Sequence, residues 1–149
     1  MPHIDLLLCH ATVVTMDQSG TIVHDGAVAV DNDVIVAVGD STQLSQTYTA
    51  TSVIDCAQCA IIPGLINAHA HVPMSLLRGI AADLQLDVWL FGYMFPVEGR
   101  FVTPHFVRTG TLLSCAEMIR GGTTTFVDMY FFEEEVAKAS DEAGMRAVC

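Results

Sequence analysis

The sequence predicts an α/β chain in two parts, a small β-rich module followed by a parallel sheet wrapped by helices. Three observations carry that reading. From Ile4 to about Ile62, short runs rich in Val, Ile and Thr are broken by Gly, Asp and Asn, which is the composition of hairpins. Beyond residue 100, helix and strand patterns alternate, and such alternation needs helices as crossovers between parallel strands. Between the two regions, Pro63-Gly64 marks a turn.

The elements follow in order. Strands are predicted over Ile4 to Thr15, Ile22 to Val30 and Val34 to Val38, with turns at Asp17 to Gly20 and Asp31 to Asp33. Gly39 to Ser52 reads as a polar stretch, and Val53 to Cys56 as one more short strand. Thr103 followed by Pro104 is a cap and first-turn proline. The apolar residues Phe106, Val107, Leu112, Leu113, Ala116 and Ile119 then keep helical spacing until Gly121-Gly122. Thr123 to Phe131 is β-branched and aromatic and reads as a strand. Glu133 to Ala143 reads as a helix with acidic residues in its first turn and Gly144 as its cap. Met145 to Cys149 begins another strand with no turn or polar tail, so the chain reads as the front of a longer protein.

The bulk numbers narrow the function classes. The 149 residues have the length of one domain, yet 52% are hydrophobic and the mean hydropathy is +0.47. That exceeds the roughly 45 to 50% usual in soluble domains. A membrane helix needs about 18 nearly uninterrupted apolar residues. Ile4 to Val14 and Val34 to Val38 are too short or carry polar residues, so no membrane span is expected. Met1-Pro2-His3-Ile4-Asp5 lacks the basic start of a signal peptide, and the expected compartment is the cytoplasm. A formal charge of −11 opposes binding to phosphate backbones or anionic lipid, so neither a nucleic acid polymer nor a membrane is an expected partner. The five cysteines are scattered and read as reduced thiols. Cys56-Ala57-Gln58-Cys59 lacks both a second such pair and a following helix start, and reads as structural.

The motif that carries chemistry is His69-Ala70-His71, directly after Ile61-Ile62-Pro63-Gly64-Leu65-Ile66-Asn67. Side chains at i and i+2 of a strand project from one face, so both imidazoles can reach one metal ion while Ala70 faces away. Two histidines supply half a site, because a catalytic zinc needs further ligands and an open position for water. His3, His10, His24 and His105 read as structural or surface residues.

Pro63-Gly64-Leu65-Ile66-Asn67-Ala68-His69-Ala70-His71 behind a β-rich segment resembles the amidohydrolase superfamily of metal-dependent barrel hydrolases. Pro73-Met74-Ser75-Leu76-Leu77-Arg78-Gly79, Trp89-Leu90-Phe91, Pro96-Val97-Glu98 and Gly122-Thr123-Thr124-Thr125-Phe126-Val127-Asp128-Met129-Tyr130 narrow the resemblance to 5-methylthioadenosine/S-adenosylhomocysteine deaminases. The resemblance implies an N-terminal β-sandwich segment over residues 1–60. After it would come the first strands and helices of an incomplete (β/α)8 TIM-type barrel over residues 61–149, truncated near strand 3.

It also implies a hydrolytic deaminase of adenosine derivatives that uses one divalent ion, zinc, with iron as the alternative. His69 and His71 are the metal ligands by this resemblance, Glu98 the acceptor for the ribose hydroxyls of a small nucleoside, and Trp89 a second substrate-binding residue. Both Glu98 and Trp89 are expected in loops, while Arg78 and Asp128 are expected to make structural hydrogen bonds. The remaining ligands and proton-shuttling residues lie outside this chain, which is therefore expected to be inactive alone, and a homo-oligomer is left open. A triazine- or guanine-type amidohydrolase or chlorohydrolase would use the same metal chemistry. A non-catalytic truncated fragment or binding module is the reading from a different class.

Overall fold

The computed structural model describes all 149 residues as two compact units, Met1–Pro63 and Gly64–Cys149. The first is built around strand β1 (His3–Val14). It pairs antiparallel with β2 (Ile22–Asp31), which pairs with β3 (Val34–Asp40), while β4 (Thr49–Asp55) and the two-residue β5 (Ala60–Ile61) run parallel to β1. Every large residue of β1 that faces inward is apolar: Ile4, Leu7, Ala11 and Val13 are buried along with Cys9. Helix α1 (Ser41–Thr47) crosses from β3 to β4 and buries Leu44 against Ile4, Leu7, Cys9, Ala27 and Ala29.

That helix occupies the stretch expected to be merely polar, and β4 begins at Thr49 rather than at Val53. The helix is short and carries only Leu44 as an apolar anchor, so it has no periodicity to detect. Its local signal is the cap: the Asp40 carboxylate accepts from the Gln43 N–H at 2.9 Å, three residues into the turn.

The second unit follows the expected order. Parallel strands β6 (Leu65–Ala70), β7 (Thr123–Asp128) and β8 (Arg146–Val148) form one sheet in sequence order. Helix α4 (Pro104–Arg120) starts where Thr103 Oγ1 accepts from the Phe106 N–H at 3.2 Å and stops at Gly121. Helix α5 (Glu133–Glu142) leads to Gly144, whose φ of +71° suits a residue without a Cβ. Phe126, Val107, Val136, Val72, Cys115 and Met145 form the core between sheet and helices.

Two segments depart from expectation. Strand β7 ends at Asp128 rather than Phe131, because the chain leaves the sheet and passes through a left-handed Phe132 to begin α5. The region expected to be loop is helical: α2 (Leu86–Trp89) runs through a π-type turn at Leu90–Met94 into α3 (Phe95–Phe101). Trp89 and Glu98 are therefore helical residues. Met94, which is fully buried, ties this excursion down. No helix of the structure is long and apolar enough to cross a membrane.

Candidate metal centre and adjoining pocket

The site grows from the end of β6. Ala70 packs on the core cluster, and the rings of His69 and His71, on either side of it in sequence, stand 5.0 Å apart edge to face. His71 Nδ1 lies 2.6 Å from the Met129 carbonyl oxygen. A carbonyl can only accept, so Nδ1 carries the proton and the lone pair sits on Nε2, the arrangement in which an imidazole is oriented for metal ligation.

The segment after His71 is held tightly. It continues as a 3-10 turn, Val72–Leu77, whose Val72 N–H donates to Asp128 Oδ1 at 2.7 Å. Ser114 donates to the Val72 carbonyl at 2.7 Å, and Ser75 donates to the Gly110 carbonyl at 3.0 Å. Gly110 permits the approach of α4, since a Cβ there would stand 2.5 Å from the Pro73 carbonyl oxygen. Asp128 is buried, and its second oxygen has no hydrogen-bond partner. Burial pushes its carboxyl up to about 6, against the pull of the Val72 N–H. Arg78 makes a two-pronged pair with Glu117 at 2.9 and 2.7 Å, a structural role on an exposed surface.

Beside His71 opens a cavity of about 260 Å³ lined by His71, Met74, Trp89, Leu90, Phe95, Glu98, Met129, Tyr130 and Phe131. Three of the four sequence-selected residues thus meet at one pocket, and His69 adjoins it through His71. Sequence reasoning missed Tyr130, whose hydroxyl donates to Glu98 Oε1 at 2.7 Å. Desolvation and then the Glu98 carboxylate raise the Tyr130 phenol above its usual range, which keeps it a donor. Its sequence signal is its place just past the carboxyl end of a parallel strand, where α/β sheets build their sites.

Residues 60–149 match the amidohydrolase family. The chain is 47% identical over 99% of its length to 5-methylthioadenosine/S-adenosylhomocysteine deaminase 1 of Syntrophus aciditrophicus. It is 51% identical over 97% of its length to a 5-methylthioadenosine/S-adenosylhomocysteine deaminase of Syntrophobacter fumaroxidans. The chain spans about a third of the length of these curated relatives, 33% in each case. Among solved structures, an adenosine deaminase from Xanthomonas campestris with bound zinc superimposes with a TM-score of 0.94 at 42% identity, over 98% of this chain and 33% of that one. An atrazine chlorohydrolase from Arthrobacter aurescens complexed with zinc follows at a TM-score of 0.82 and 25% identity, over 95% of this chain and 34% of its own. The chain is an α/β protein that belongs to the amidohydrolase family.

Proposed function

We propose that this chain forms part of a metal-dependent hydrolytic deaminase acting on adenosine derivatives of the 5-methylthioadenosine or S-adenosylhomocysteine type. The observation that carries the reading is the single pocket lined by His71, Glu98 and Trp89 together. The identities of 47% and 51% to deaminases of that name favour nucleosides over triazines.

The donor set fits one divalent ion, zinc by preference. His71 has its Nε2 lone pair free, His69 stands beside it, and the unpaired oxygen of buried Asp128 adds favourable charge for a cation nearby. When bound, such an ion supplies the Lewis acidity that makes water nucleophilic near neutral pH. The remaining work falls to the chain's own side chains. Trp89, Phe95 and Met74 offer an apolar wall for a purine. Glu98, oriented by the Tyr130 hydroxyl, retains acceptor sites for a vicinal diol, and two donors bridging to one carboxylate fix the sugar in one pose.

The same reading extends to architecture. Strands β6, β7 and β8 are the first three strands of a (β/α)8 barrel over residues 61–149, and residues 1–60 are one layer of a β-sandwich. Support comes from apolar side chains left uncovered: Ile66, Val127 and Val148 on the parallel sheet, and Val34, Ile35, Val36, Val53 and Ile54 on the first sheet. Parallel sheets bury both faces, and sandwiches pack two.

The test joins this chain to the remaining two thirds of the Syntrophobacter fumaroxidans relative and assays ammonia release. The expected result is turnover of 5-methylthioadenosine well above guanine or triazines, abolished by His69→Ala or His71→Ala. Glu98→Ala should weaken nucleoside turnover most. The 149-residue chain alone should release no ammonia. Equal turnover of all three substrates, or activity that survives His71→Ala, would refute the proposal.

A further inference from the structure

The first unit holds a second set of ligating atoms that the proposed deaminase chemistry leaves unused. Cys9 Sγ, a ring nitrogen of His10 and a carboxylate oxygen of Asp55 lie within 4.8 Å of one another. In a regular strand, consecutive side chains point to opposite faces, so Cys9 and His10 could not share a ligand. The β1–β2 register shifts between Leu8 and Ala11, and His10 takes a φ of +62° there. Such a bulge re-aims a side chain. A matching left-handed residue, Asp25 with φ +47°, sits on β2, and its Oδ1 lies 3.0 Å from His10 Nδ1. Across the parallel pair, Cys9 and Asp55 are direct Cα partners and so share a face.

We propose that Cys9, His10 and Asp55 form a thiolate-containing site for a borderline-soft divalent cation such as zinc, with water in the fourth position. The sulfur, nitrogen and oxygen donors suit zinc and disfavour magnesium or calcium, which take oxygen alone. Asp25 supplies the outer carboxylate that accepts the His10 Nδ1–H and orients the ring. Tetrahedral ligand atoms at zinc distances lie about 3.5 Å apart. Asp55 is exposed and can close the difference by rotation, whereas buried Cys9 is fixed.

The carboxylates of Asp25 and Asp55 at the cluster favour a dication. On binding, the S–H proton passes to solvent as the sulfur–metal bond forms, with no change of oxidation state. The site lies wholly within Met1–Pro63 and does not depend on the role of His69 and His71.

Cobalt(II) added to the 149-residue chain tests this, because thiolate ligation gives a near-ultraviolet charge-transfer band that two histidines cannot produce. The band is expected at one equivalent, displaced by zinc, and retained when His69→Ala and His71→Ala are combined. Cys9→Ser should abolish it, Cys56→Ser should leave it, and His10→Asn and Asp55→Asn should each weaken cobalt binding by about tenfold or more. Asn accepts the left-handed backbone at position 10, so an unchanged circular dichroism spectrum separates lost ligation from lost fold. A wild-type chain with no band, or a band that survives Cys9→Ser, overturns the proposal.

Discussion

The two units bring their ligating side chains together by different means. In the second, β6 ends at Ala70 without a positive φ, and His69 on the strand and His71 just beyond it bring their rings together while Ala70 joins the core. In the first, β1 and β2 both pass through the left-handed region, at His10 and Asp25, and residues one apart, Cys9 and His10, meet. Both strands slip register beside their clusters, β6 between Asn67 and Ala70 and β1 between Leu8 and Ala11, but only β1 does so through a left-handed residue. The cores differ in parallel. The first is filled by Ile4, Leu7, Cys9, Ala27, Ala29 and Leu44 with no buried aromatic, whereas the second is centred on Phe126.

The largest effect should come from breaking that second core. Phe126→Ala removes the bulkiest fully buried side chain and should cost about 3 to 5 kcal/mol. Amide exchange should show protection lost across β6, β7 and α4 while β1 and β2 keep theirs. Loss in both units together would mean that they fold as one cooperative body.

Next comes the seat of the segment behind His71. Gly110→Ala drives a methyl group into the Pro73 backbone, which cannot yield as a flexible side chain would, and should cost about 1 to 3 kcal/mol. The same change should lower metal uptake by His69 and His71 while leaving the cobalt–thiolate band of the first unit intact. Thermal denaturation and the two metal readouts together check this.

A smaller change sharpens the pocket. Tyr130→Phe removes the hydroxyl that donates to Glu98 and should cost about 0.5 to 1.5 kcal/mol. In the fused enzyme it should raise KM for nucleosides more than it lowers kcat, because it loosens an anchor for the sugar without touching the metal ligands. A fall in kcat alone would remove Tyr130 from substrate positioning.

These contrasts also explain what could be read from the sequence. His69-Ala70-His71 is legible because a two-residue spacing is written in the chain, and the Thr103-Pro104 start of α4 is legible because a cap is a local event. Glu98 and Trp89 could be selected, but their helical setting could not. The turns from Leu86 to Phe101 carry no clear apolar stripe and are pinned by Met94 packing. Tyr130 escaped because its partner is 32 residues away. Cys9 and His10 escaped because a bulge depends on register with β2, and nothing in the β1 segment alone announces it. Local spacing survives translation into structure, whereas pairings set by register or by distant packing do not show until the sheet forms.

The smallest expected effect sits at the tip of the β1–β2 turn and leaves the second unit untouched. Asp17 accepts from the Thr21 N–H at 2.9 Å, from the Thr21 hydroxyl at 2.8 Å and from the Ser19 hydroxyl at 2.9 Å. These donors, the Thr21 amide foremost, hold its carboxyl well below the usual carboxylate range. A depressed folded-state pKa means that the unfolded chain takes up the proton first. The stabilisation is therefore complete above the ordinary carboxylate value of about 3.9, and it fades as pH falls from there through the folded-state value. Because the group is exposed, the consequence is local: below that point the Thr21 amide should lose protection and its resonance should move, while Phe126 and its neighbours hold. Asp17→Asn should abolish the acid step in the turn. A carboxyl resonance of Asp17 that titrates at about 3.9 would show that these hydrogen bonds do not persist in solution.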